Sequence, residues 1–188
     1  MDAHWHGLAQ GLDDFLRRNP AETATVSLFR ALLTEGGQAF RRERRDGHFT
    51  GSAWLVSADG ARVLLTHHRK LGRWLQLGGH ADGDSDLSAV ALREAEEESG
   101  LTGLRVEPAI FDLDRHLIPA RGGEPEHWHY DARFVVWAAR CEDFVVSAES
   151  HALAWREIGE VADDAAVDAS VRRMARRWLA RGNARESG

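Results

Sequence analysis

The sequence predicts an α/β domain, a sheet with helices on both faces, preceded by N-terminal helices. Three observations carry this reading. From His48 onward, short apolar runs alternate with glycine and aspartate turns. A long helical pattern from about Asp86 to Gly100 interrupts those runs, and a second, from Asp168 to Ala180, closes the chain. At 188 residues, one core with appendages is expected rather than two large domains. The division expected is a helical extension over residues 1–45 and a main domain over 46–188.

Taken in order, Leu8, Leu12, Phe15 and Leu16 recur at helical spacing until Asn19 and Pro20 stop the pattern. A second helix carries Val26, Leu28, Phe29, Leu32 and Leu33 and ends near Gly36 and Gly37. Arg41, Arg42, Arg44 and Arg45 around Glu43 form a basic connector, read as a solvated face. Ser52 to Ser57 and Arg62 to Thr66, joined at Asp59 and Gly60, give a hairpin signal. Trp74 to Leu77 leads into Gly78 and Gly79 ahead of the long helix. Strands are predicted at Leu104 to Arg115 and His127 to Arg140 across a Pro/Gly loop, with a short one at Ala152 to Trp155.

The formal net charge of -6 mixes both signs, which disfavours nucleic-acid duplexes as partners and leaves small anions open. Cys141 is the single cysteine, so internal disulfides and multi-cysteine zinc sites are excluded and a reducing cytoplasm fits. Asp2, His4, His6, Asp13 and Asp14 interrupt the segment where a secretory signal needs an apolar core, and no run of about 18 apolar residues occurs. A soluble cytoplasmic chain without a membrane partner is therefore expected.

The chemistry concentrates in Gly79 to Leu101, GHADGDSDLSAVALREAEEESGL. On a helix, Glu94, Glu97 and Glu98 share one arc of about 100°, beside an apolar face of Ala91, Leu92 and Ala95. Like charges so spaced repel, and a divalent cation offsets that cost. The plain alternative is a solvated acidic helix paired with arginines. Glycines shift the balance, because Gly78 and Gly79 permit a tight loop against a ligand and Gly100 can end the helix in a left-handed conformation.

This stretch resembles the Nudix box: Gly, five residues, Glu, seven residues, Arg-Glu, an apolar residue, any residue, Glu-Glu, any residue, Gly, an apolar residue. Gly79, Arg93, Glu94, Ala95, Glu97, Glu98, Gly100 and Leu101 match with the spacing intact; Ser85 stands where the first Glu is expected, between Asp84 and Asp86. The resemblance implies a Nudix α/β/α sandwich with a mixed sheet. It also implies Mg2+, with Mn2+ as an alternative, held by Glu94, Glu97 and Glu98, and an Arg93 that orients those carboxylates. The missing first Glu is a support in that family, so its loss bears on loop geometry more than on the metal. The implied activity is hydrolysis of a phosphoanhydride in a nucleoside diphosphate linked to another moiety, by a chain acting alone or as a homodimer.

Around the box, Glu149 is a candidate distant general base. Arg69 and Lys70, together with Gly79, are candidate substrate contacts in a stretch that also holds His67, His68 and Arg73. Trp74 and Trp128 can stack on a base or belong to the core. Strand alternation places His127, His129 and Asp131 on one face and Trp128, Tyr130 and Phe134 on the other. With His48 and His80, and His116 as hairpin partner, they offer N and O ligands for a second ion, Zn2+ or Mn2+. Direct contact with phosphate or backbone is the alternative. Two other functions stay open: a nucleotide-sensing module without catalysis, and an isopentenyl diphosphate isomerase-like enzyme. Against the latter, Gly78 stands where that branch has its cysteine; against the former, all three box carboxylates are present.

Overall fold

The computed structural model describes residues 5–68, 72–139, 142–145 and 150–186. Two helices open it, α1 (His6–Arg18) and α2 (Thr23–Leu33), separated by a single 3-10 turn at Pro20–Glu22. Seven strands follow: β1 (Gly47–Val56), β2 (Arg62–His68), β3 (Arg73–Leu75), β4 (Leu77–His80), β5 (Arg105–Ile118), β6 (His127–Trp137) and β7 (Ser150–Glu157). Helix α3 (Leu87–Ser99) lies between β4 and β5, and α4 (Ile158–Asp163) and α5 (Ala169–Glu186) end the chain. The sheet runs β3-β2-β1-β6-β5, with β4 also on β1 and β7 on β2. It is mixed: β1 and β6 run parallel over Gly47↔Trp128 to Val56↔Trp137, whereas β1–β4, β2–β7 and β5–β6 are antiparallel.

Alternation along β1 sorts the layers. Phe49, Ala53 and Leu55 point to the side of α1, α2 and α3, packing with Leu12, Phe15, Phe29, Val90 and Ala95. Trp54 and Val56 point the other way and pack with Ile158, Val161, Val171 and Met174 of α4 and α5. This is an α/β/α sandwich. The N-terminal helices bury Leu12, Phe15 and Phe29 completely. Phe49 joins them to the sheet, with Phe29 at 5.9 Å and Phe40 at 4.9 Å between ring centroids. Truncating one such phenylalanine is expected to cost about 3–5 kcal/mol.

Several boundaries differ from the sequence reading, each for a physical reason. Strand β1 begins at Gly47 rather than Ser52, because His48, Thr50 and Ser52 are buried polar residues on the ladder with β6. The run at Trp74 splits in two, since β3 pairs with β2 and β4 with β1. Helix α4 falls where no helix is predicted, and its six residues are too few to show a helical period. The basic connector is solvent-exposed, as expected, and is also tied down: Arg42 forms a two-pronged bond to Asp82 (2.6 and 2.5 Å), and Arg44 one to Glu35 (2.7 Å each). Among the described residues, no helix is long and apolar enough to cross a membrane.

Candidate active site

Helix α3 is fixed at both ends. The Asp86 carboxylate accepts from the amides of Ser88 and Ala89 (3.1 Å each), and Gly100 stops the helix at φ 68° with its N–H on the Glu96 carbonyl. Leu87, Val90, Ala91 and Ala95 are buried against the sheet. Gly51 of β1 makes that approach close, for a Cβ there would sit 2.8 Å from the Leu87 carbonyl oxygen and 2.9 Å from Val90 Cγ1.

The carboxylates are thereby turned toward β4. The Gly78 N–H donates to Glu98 Oε1 at 2.7 Å, and a Cβ on Gly79 would collide with the carboxylate of Glu94. A Cβ on Gly78 would meet Ser52 instead. Strand β4 is thus squeezed between β1 and the acidic face: a side chain at Gly78 meets the Ser52 backbone, and one at Gly79 displaces the Glu94 carboxylate. Arg93 donates to the His80 carbonyl at 3.1 Å and to Glu94 at 3.2 Å, tying that carboxylate to the strand. Glu97, on the same face, is exposed. These hard oxygen donors suit a divalent cation such as Mg2+. Asp84 and Asp86 serve the helix start, Asp84 accepting from the Asp86 amide at 2.9 Å. Ser85 lines a groove with Gly7, Leu8 and Gly11 of α1. Arg69, Lys70 and Glu149 lie outside the described residues.

The candidate histidines gather on the opposite face of the sheet. His48 pairs in register with His129, His129 with His116, and Thr50 with His80. Ligand nitrogens of His48, His80 and His129 all lie within 4.8 Å of one another. His127 is beside them, its Nε2 3.2 Å from His129 Nε2, and the His116 ring centroid is 5.5 Å from that of His129. Burial, then neighbouring positive and imidazole groups, pushes His80 down to about 4 and His129 to about 2; burial also lowers His48. All three are neutral near pH 7.

Asp131 does not join them. Its carboxylate accepts from Thr50 (3.0 Å), Ser52 (2.8 Å), Gln76 (3.3 Å) and Arg133 (2.8 Å). Strand alternation does aim it at the correct face, but four donors occupy its oxygens. Arg133, only 1 % exposed, also pairs with Asp112 and Asp114, which Arg173 reaches from α5 at 2.6 and 2.9 Å. The sequence reading missed this network. Its signal is there in the alternate acids Asp112 and Asp114 opposite Asp131 and Arg133, and in Arg173, Arg177 and Arg181 at one-turn spacing. Trp128 is covered by the Arg115 guanidinium, 3.5 Å from its ring centroid, and Trp74 packs into the core under α5.

The model of the NUDIX domain matches residues 48–177. The chain belongs to the Nudix family. A curated Nudix relative, putative 8-oxo-dGTP diphosphatase 3 of Mycobacterium tuberculosis, is 33% identical over 125 residues, covering 62% of this chain and 56% of its own length. The chain thus matches little more than half of that relative. Among solved structures, a NUDIX-family hydrolase from Clostridium perfringens aligns with TM-score 0.55 and 22% identity, over 71% of this chain and 96% of the other. The C. elegans Ap4A hydrolase binary complex aligns with TM-score 0.57 and 18% identity, over 72% and 98%. At such identities these two support the fold. The α/β/α sandwich and the mixed sheet are those of the Nudix neighbours.

Proposed function

We propose that this Nudix chain hydrolyses a phosphoanhydride bond in a nucleoside diphosphate linked to a second moiety, with Mg2+ held by Glu94, Glu97 and Glu98. The observation that carries it is the apposition of the α3 carboxylates to the glycine strand β4, where no side chain intervenes. The donor set fits the ion, since Mg2+ takes few carboxylates and hard oxygens. When bound, the ion neutralises charge on phosphate oxygens and favours ionisation of water. The chain's own part is positional: the Gly78 amide orients Glu98, Arg93 anchors Glu94 to the His80 carbonyl, and Gly79 leaves room for the Glu94 carboxylate beside β4.

The name of the curated relative supports the substrate class, because 8-oxo-dGTP is a nucleoside phosphoanhydride. We assign Arg69 and Lys70 to the phosphates and Glu149 to the role of distant base. Glu94, Glu97, Glu98, Gly79 and Arg93 come from one chain, so this site works in a monomer or in each half of a homodimer. The setting we infer is the cytoplasm. Residues 1–45 act as an extension that completes the core under β1, and 46–188 as the hydrolase domain.

Release of phosphate or of a nucleoside monophosphate from a panel of nucleoside di- and triphosphate derivatives, with and without Mg2+, tests the reading. At least one member should be turned over only with the metal. Tight binding of panel members with no turnover would make the chain a sensor instead.

A further inference from the structure

We infer that His48, His80 and His129 form a metal site of their own, a three-imidazole centre for Zn2+ on the sheet face opposite the α3 carboxylates. The decisive group is His48, which is 2 % exposed. Its Nδ1 lies 3.3 Å from the Arg44 carbonyl, which can only accept, so Nδ1 carries the hydrogen and Nε2 the lone pair. That buried Nε2 has no hydrogen-bond partner. Buried acceptors are ordinarily satisfied, and an orphan facing two more imidazoles calls for a cation. A ring held by a backbone carbonyl through one nitrogen, with the other bare, is also how metal-binding histidines are oriented.

The geometry needs little adjustment. The three ring centroids already stand 5.0–5.1 Å apart. With Zn–N of about 2.0 Å, tetrahedral nitrogens are about 3.3 Å from one another, so donors now within 4.8 Å draw together on the ion, and His129 adjusts its contact with His127 as they do. With Asp131 committed elsewhere, the three donors of this group are all nitrogen, which favours Zn2+ over Mn2+ and over Mg2+. His48 and His80 line a cavity of about 320 Å³ together with Arg42, Glu43, Glu124 and His127 among others. Water or an anionic oxygen can enter there. His80 also belongs to β4, whose Gly79 faces Glu94 and whose His80 carbonyl receives Arg93. An ion on His80 therefore stiffens the wall of the acidic site from behind.

The test is independent of hydrolysis. Full-length protein without a histidine tag, stripped with chelator, is titrated with Zn2+ alone by calorimetry, and the loaded protein is examined by X-ray absorption. One equivalent per chain with imidazole scattering is expected. His48→Ala and His129→Ala should each weaken Zn2+ binding by more than about 100-fold, since even loss of an orienting group costs 10–100-fold, while Glu97→Gln and Glu98→Gln bind Zn2+ as the wild type does. Circular dichroism and melting curves check that the histidine variants fold, and if they do not, the wild-type absorption spectrum decides. Absence of stoichiometric binding, absence of imidazole scattering, or binding lost in the glutamate variants and kept in the histidine variants overturns the inference.

Discussion

Gly79 and the carboxylate of Glu94 lie so close that a methyl group on the glycine would overlap it. Gly79→Ala should therefore displace Glu94 with little loss of stability, because the obstacle is the far end of a side chain. Misplacement of about 1 Å is worth about 100-fold in rate, and a loss of that order in kcat with an unchanged melting temperature is expected. Gly78→Ala behaves differently, as its Cβ would lie 2.8 Å from Ser52 Cα. Backbone must move there, and urea titration should show a loss of about 1–3 kcal/mol.

Glu97→Gln and Glu98→Gln preserve shape and remove charge. Each should lower Mg2+-dependent turnover by orders of magnitude while leaving the far-ultraviolet spectrum unchanged. Near-normal activity in both variants would exclude the assignment of the acidic face.

Ser85→Glu places the Nudix carboxylate at the start of α3, where Asp86 already caps the helix and the groove toward α1 has room. A modest change in kcat is expected. A step from no activity to robust activity would show that the natural chain is a binding module.

Arg133→Met removes the buried cation shared by Asp131, Asp112 and Asp114, and Arg173 then reaches only the last two. Breaking a buried pair from one side costs about 3–5 kcal/mol, and a fall of that size in the free energy of unfolding is the expected result.

Asp114 gives the pH dependence its sign. Burial works to raise its pKa, but the His116 hydrogen bond and the charges of Arg133 and Arg173 outweigh it and hold the group well below 3.8. Below about pH 4 the unfolded chain binds a proton that the folded chain refuses, so this contribution is complete above the unfolded pKa and is lost as pH falls through the folded one. Acid unfolding curves of Asp114→Asn should lack that part of the descent.

The acidic helix was legible because its signals are local: Asp86 and Gly100 mark its ends, and the glutamate spacing fixes the face. The histidine group was legible in part, since alternation aims His127, His129 and Asp131 together. What alternation cannot report is competition for Asp131, whose four donors come from β1, β6 and Gln76 between β3 and β4. The start of β1 was hidden for a related reason. Its early residues are polar yet buried, so their pattern resembles a loop until the parallel partner is known. The shared core of the N-terminal helices also depends on contacts far apart in sequence, such as Phe29 with Phe49 and Tyr130.

The pairing of β1 with β6 joins segments such as Thr50 and Asp131 that are 81 positions apart. Closing so large a loop in the chain carries an entropic cost that local hairpins such as β5–β6 avoid, and high contact order slows folding. His48 meets His129 only when that closure is complete. An ion bound there rewards the finished structure rather than the search for it, so its kinetic signature belongs in slower unfolding, with the refolding rate left nearly unchanged.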